Sequence, residues 1–290
     1  MLEHTQSSLL TADEAAATEQ TITGSGLSRR NFLVAAGLTA GAAGTLGLAG
    51  CGSVLGVDPL AGPAPSIEDV LNFALNLEYL EANFYLYIAT GQGLPPSLQG
   101  TNPGAVPPVP AVQFTDPNVA ALAKQLAADE LAHVTFLRAG LVQNGFTPVD
   151  QPALNLTALG AVTNDATFLA TARQLETVGV SAYEGGVPYI AASLPALEYA
   201  ALIHDTEGQH EGVLRQFCIA KGISSPAVDH YDTPPSLSSS TIFNTNQLTG
   251  VNPTRNTSEV LQIVYAAPGK LGVTSGGFFP NGLNGNIKST

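Results

Sequence analysis

Residues Glu130–Arg138 read ELAHVTFLR, and residues Glu207–Arg215 read EGQHEGVLR. Aligned, both are Glu-x-x-His-x-x-x-Leu-Arg. Residues three, four and seven apart share one face of a helix, so each copy places its Glu, its His and its Leu on one stripe. The first stripe runs Ala123, Leu126, Glu130, His133, Leu137, and the second Ala200, Ile203, Glu207, His210, Leu214, Phe217. An acid and an imidazole thus stand on faces that otherwise read as core.

Each copy is preceded by a helical segment with an embedded acid of its own. One carries Leu71, Ala74, Glu78, Glu81, Tyr85 and Ile88 on its stripe, the other Leu169, Glu176, Val180, Tyr183 and Val187. Glu78 is followed seven residues later by Tyr85, and Glu176 likewise by Tyr183. The chain is therefore a doubled unit, Glu-x6-Tyr then Glu-x-x-His, which predicts an all-α four-helix bundle with four carboxylates and two imidazoles in its core. Each buried, unpaired carboxylate costs several kcal/mol, and four also repel one another. Arg138 and Arg215 lie off the stripes. Two divalent cations would neutralise four carboxylates and use both imidazoles. That is the di-iron or di-manganese arrangement of four-helix bundles, in which two helices give a Glu and two give Glu-x-x-His.

Local signals place the helix ends. Ser66 is an N-cap with Glu68 and Asp69 in the first turn, opening a helix to about Ala89. The Pro- and Gly-rich stretch 90–115 is a loop. Asp116-Pro117 opens a second helix that ends near Asn144-Gly145. Residues 145–164 form a connection long enough, at about 3.3 Å per residue, to run the length of a bundle. A third helix starts near Asp165, is expected to stop at Gly185-Gly186 and to resume after Pro188. Ser193 and Pro195 open the fourth, closed by Lys221-Gly222. The bundle is thus assigned to 66–222. The extension 223–290 is expected to be mostly loop, with one short helix from Asn256 and a Gly-rich end, packed across the bundle.

Residues 1–50 read as an address. Paired arginines in SRRNFLVAAG followed by a weakly apolar run resemble a twin-arginine export signal. Leu48-Ala49-Gly50-Cys51 resembles a bacterial lipobox, with Cys51 as the lipidated residue and 51–65 as a linker. The alternatives are cleavage without lipid and, for 32–50, a transmembrane anchor, against which its Ala and Gly content argues. The expectation is an exported protein of the periplasm or cell envelope, held to the membrane through Cys51. The chain has 290 residues, 44% hydrophobic and 11% charged, with a net charge of -13. Its ten Lys and Arg are scattered, which excludes a nucleic-acid partner. With Cys51 lipidated, Cys218 has no partner and reads as a small buried residue.

LNLEYLEANFYLYI, ADELAHVTFLRAGL, LETVGVSAYEGG and TEGQHEGVLR resemble the ferritin-like superfamily. They are most similar to the bacterial ferritin-like domain group that includes plant desiccation-related proteins. The resemblance spans about Ser66–Gly222, and GGFFPNG in the tail shares it. It implies two antiparallel helix pairs joined by a long crossover. It also implies Glu78 and Glu176 as terminal ligands, Glu130 and Glu207 as bridges, and His133 and His210 as one ligand per metal. Tyr85 and Tyr183 would hydrogen-bond the carboxylate ligands or supply a proton or an electron. Glu81 is an alternative ligand or lies on the access path; Glu184 is an additional acid. His204 is either beside the ligands or on the surface, and Asp129 and Asp205 are expected to be solvated. Two Fe or two Mn ions would suit metal oxidation by dioxygen or peroxide, or manganese-catalase chemistry. A structural or desiccation-protective envelope protein is the reading of another class. Oligomeric state stays open, and no substrate pocket, flavin, nucleotide or haem motif is legible.

Overall fold

A computed structural model describes residues 64–290. The segment read as an export signal, Cys51 and most of the linker lie outside the described residues. Five α-helices and no strand are present among those described: α1 Ile67–Thr90, α2 Pro117–Gln143, α3 Asp165–Ile190, α4 Leu194–Lys221 and α5 Thr257–Val264. None of them is long and apolar enough to cross a membrane.

Each start is fixed by a side chain that satisfies an otherwise orphaned backbone N–H. Ser66 and Asp69 form a capping box on α1, Asn164 and Thr167 on α3, and Asn256 and Glu259 on α5. Asp116 accepts from the Asn118 N–H with Pro117 in the first turn of α2, and Ser193 caps α4. Gly91 and Gly222 end α1 and α4 in the left-handed region, with φ of 73° and 63°.

Contacts at the helix ends set the arrangement. Glu68, at the start of α1, accepts from the Thr147 N–H just past the end of α2, so these two helices are antiparallel. Asp165, at the start of α3, accepts from the Thr115 and Asp116 N–H groups at the start of α2. The intervening segment 144–164 therefore runs the length of the bundle, while residues 191–193 turn α3 directly into α4. α1 packs mainly on α2 and α3 on α4, with α1–α3 and α2–α4 contacts across the middle. Two apolar layers result. One holds Phe84, Tyr85, Leu126, Phe168 and Leu214; the other holds Leu71, Tyr79, Leu137, Tyr183 and Ile203. The embedded acids lie between them.

Two features differ from the sequence expectation. α3 does not stop at Gly185-Gly186 but continues through Pro188 to Ile190. The proline forfeits the one N–H that would bond the Glu184 carbonyl, and only two helical residues follow it. Gly185 is not a stop but a seat: a Cβ there would lie 2.0 Å from the Arg255 carbonyl oxygen. Val187, expected on the buried stripe, is 41% exposed, while Ile190, three residues on, is buried in the second layer and takes over the apolar face at this end of α3. Arg215, read as lying off the stripe, is buried against the tail, donating to the carbonyls of Thr233 and Thr241 at 2.8 and 2.9 Å.

That tail is fastened by buried arginines. Fully buried Arg173 donates to Asp232 Oδ1 at 2.6 Å and to Ser225 Oγ at 2.8 Å. Arg255 bridges Asp229 at 2.6 Å and Ser181 Oγ on α3 at 2.6 Å. Phe278 and Phe279 of the Gly-rich end are buried in the first apolar layer. Gly277 permits this, since its φ is 50° and a Cβ would meet the Val264 carbonyl at 2.5 Å.

Candidate metal centre

The six stripe residues converge. Glu130, Glu176 and Glu207 are fully buried, Glu78 is 1% exposed and each histidine 7%. His133 Nδ1 lies 3.1 Å from Glu130 Oε2 and 3.3 Å from both Glu78 Oε2 and Glu207 Oε1. His210 Nδ1 lies 3.2 Å from both Glu130 Oε1 and Glu176 Oε2. The imidazoles face each other with ring centroids 6.0 Å apart. Two sets of ligand atoms follow, each mutually within 4.8 Å: Glu78, Glu130, His133, Glu207, and Glu130, Glu176, Glu207, His210. Glu130 and Glu207 belong to both.

Hydrogen bonding cannot satisfy this cluster. A ring nitrogen carries at most one proton, yet His133 Nδ1 has three carboxylate oxygens at contact distance. Glu78 Oε2, Glu130 Oε1 and both Glu207 oxygens are buried without a hydrogen-bond donor, at a cost that accumulates for each. Around an octahedral ion with bonds of about 2.1 Å, neighbouring ligand atoms lie about 3.0 Å apart. The observed 3.1–3.3 Å separations are close to that shell. Each set could hold a metal ion.

Without a cation, the charge is balanced by protons. Burial, and then the charges of Glu130 and Glu176, push Glu207 well above the ordinary carboxylate range. Burial and the Glu78 charge raise Glu130 to about 7. Glu78 goes the other way: burial raises it, but the His133 charge and hydrogen bonds from its neighbours bring it below its usual value. Burial works against charge on both histidines, and the carboxylates overcome it, holding His210 at about 11 and raising His133 as well. Binding a divalent cation there would therefore release protons.

Around the cluster, the two halves support each other. Tyr85 on α1 donates to Glu176 Oε1 on α3 at 2.5 Å, and Tyr183 on α3 donates to Glu78 Oε1 on α1 at 2.5 Å. Burial, and then the adjacent carboxylate charge, pushes both phenols well above their ordinary range, so they stay protonated donors. Asp129, expected in solvent, instead lies with Oδ2 3.2 Å from His210 Nε2, which turns Nδ1 toward the carboxylates. The helical wheel of α2 gives no sign of this, because the partner comes from α4. The matching position in the other half is Thr206, so His133 has no such carboxylate. Asp205 behaves as expected, binding only Gln209 on the surface.

The remaining candidates stand apart from the ligand sets. His204 pairs with Glu184 at 3.3 Å, with the imidazole 36% and the carboxylate 24% exposed. Glu81 is 4% exposed and belongs to neither set. Its Oε1 and Glu207 Oε2 both border Gly179, where a Cβ would lie 3.4 Å from the former and 2.5 Å from the latter. Gly179 is a residue that sequence reasoning missed. The available signal was its position three residues after Glu176, on the ligand stripe itself. Cys218 is buried on α4, its thiol raised to about 11 by burial.

Fold and site together define a ferritin-like four-helix bundle with a buried carboxylate–histidine cluster. The family comparison agrees: the ferritin-like domain family matches residues 67–220, and the chain belongs to that family. No significant match was found to a curated protein or to a solved structure.

Proposed function

We propose that the protein is a di-metal carboxylate protein, holding two Fe or two Mn ions and acting in metal oxidation or in peroxide defence. One observation carries this reading: two ligand sets share Glu130 and Glu207, as expected of a pair of ions bridged by two carboxylates. Glu78 and His133 would complete one site, and Glu176 and His210 the other. Bound there, the metals would supply the one-electron redox steps toward dioxygen or peroxide.

The chain's own contribution is positional. Tyr85 and Tyr183 hold a proton against the outer oxygen of each terminal carboxylate, leaving the inner oxygen free to ligate. Asp129 keeps His210 Nδ1 facing inward. The two apolar layers exclude bulk water, which strengthens every charge interaction between them. Export by the twin-arginine route and lipid attachment at Cys51 belong to the same proposal. That route carries proteins already folded, which suits a chain that acquires its metals before leaving the cytoplasm.

The test is anaerobic loading with Fe(II) or Mn(II), followed by oxygen and peroxide assays on the wild type and a Glu130→Ala/Glu207→Ala double variant. Oxygen uptake or peroxide loss that scales with bound metal and vanishes in the variant is the expected result. Vigorous oxygen release from peroxide by the manganese form would make it a manganese-type catalase. Bound metal without any turnover would assign it a structural role in an envelope protein.

A further inference from the structure

A cavity of about 510 Å³ runs between α1, α3 and the tail. Its rim is exposed, at Leu159, His230, Pro268 and Gly269, and its inner end is buried, at Leu77, Glu81 and Gly179. That inner end borders the carboxylate–histidine cluster, because Gly179 lines the cavity and has both Glu81 and Glu207 beside it. Its outer walls, including Val228, Ile263 and Phe278, lie beyond residue 220, where the family match stops. The tail is clamped in place by Arg173 and Arg255, so the cavity is built into the fold.

The lining names the class of occupant. The volume falls within the range of small-molecule sites, and most of the wall is aliphatic. Its charged groups are all acids, Glu81, Asp229 and Glu259, with no Lys or Arg, which disfavours an anion. Asp229 is already paired with Arg255, and Glu259 accepts from Tyr231 and the Asn256 N–H. Glu81, at the inner end, is more than nine-tenths buried and has neither a hydrogen bond nor an ion pair among the described residues. It shares the α1 stripe with Glu78 but is not a member of either ligand set.

We infer that this cavity is a binding site for an uncharged, largely aliphatic small molecule bearing one hydrogen-bonding oxygen, with that oxygen placed at Glu81 and so presented to the metal centre. The tail is then the part of the chain that supplies ligand selectivity to the bundle. Binding needs no metal, so its failure and the failure of the metal reading are separable.

The experiment is fluorescence titration of the metal-free full chain with Nile red, an uncharged probe, followed by displacement with 1-decanol and with decanoate. Saturable binding is expected, displaced by decanol and at least tenfold less well by decanoate. Ile263→Trp and Val228→Phe, which fill the cavity from two sides, should each weaken probe binding at least tenfold without lowering the unfolding midpoint. Glu81→Leu should weaken decanol about fivefold, the loss of one hydrogen bond. No saturable binding, binding unchanged in the filled variants that fold, equal displacement by decanoate, or full decanol affinity in Glu81→Leu would each overturn the inference.

Discussion

Gly179→Ala separates the metal centre from the fold that carries it. A Cβ at 179 would stand 2.5 Å from Glu207 Oε2, against an ordinary contact of about 3.5 Å, so that carboxylate must retreat by about 1 Å. The obstructed atom is the end of a flexible side chain, so helix packing need not shift. In the metal-free protein the substitution should be neutral or stabilising, since Ala in a helix interior is favoured over Gly by up to about 1 kcal/mol. In the loaded protein a ligand of both metal sets is displaced, which should weaken metal binding about 10- to 100-fold. By linkage, a tenfold loss removes about 1.4 kcal/mol of metal-induced stabilisation. Thermal unfolding with and without Mn(II) reads both halves at once. The midpoint of the metal-free variant should hold or rise while the metal-induced increment shrinks. An undiminished increment, or a metal-free variant that unfolds earlier than wild type, would refute the reasoning.

Further outcomes follow from other contacts. Asp129→Ala frees His210 Nε2 and should reduce metal affinity about 10- to 100-fold by calorimetry, whereas Thr206→Ala, at the equivalent position, should change it little. Asp232→Ala strips the buried Arg173 of its counter-charge and should cost about 3–5 kcal/mol in urea unfolding, with the tail detaching first. The pH dependence has a fixed sign. Glu130 keeps its proton in the fold up to about 7 against an ordinary 4.5, and His210 up to about 11 against 6.5. Both contributions to metal-free stability are complete below the ordinary values and are lost as pH rises through the raised ones. Glu78, held below its ordinary value, opposes this only at the acid end. The metal-free unfolding midpoint should therefore fall as pH rises from about 4.5 to about 11, and the metal-induced increment should grow over the same range, because the ligands bind metal only after losing their protons.

The bundle was legible because its signals are local and periodic. Caps at Ser66, Asp116 and Ser193 and the start near Asp165 mark four helices, and a helical repeat carries each stripe. The convergence of Glu130, His133, Glu207 and His210 was legible for a different reason: the pattern occurs twice, and unpaired acids on apolar faces require a compensating charge. What escaped depends on contacts between elements. Asp129 is on the wrong side of its own helix and becomes relevant only when α4 brings His210 beside it. Gly185 and Gly186 read as a helix stop, whereas Gly185 gives way to the Arg255 backbone from seventy residues downstream. Glu81 shares a stripe with Glu78, yet one turn of helix carries it from the ligand sets to the end of the cavity. The cavity itself has walls from a tail without repeat or periodicity, and no pattern along the chain announces it.

The central claim is that Glu130 and Glu207 are shared by two metal ions. Elemental analysis of the protein purified without chelator, beside Glu130→Ala/Glu207→Ala, tests it most directly. The account predicts about two Fe or Mn per wild-type chain and none retained by the variant. Wild-type protein free of stoichiometric metal, with the same thermal stability as the variant, would contradict it.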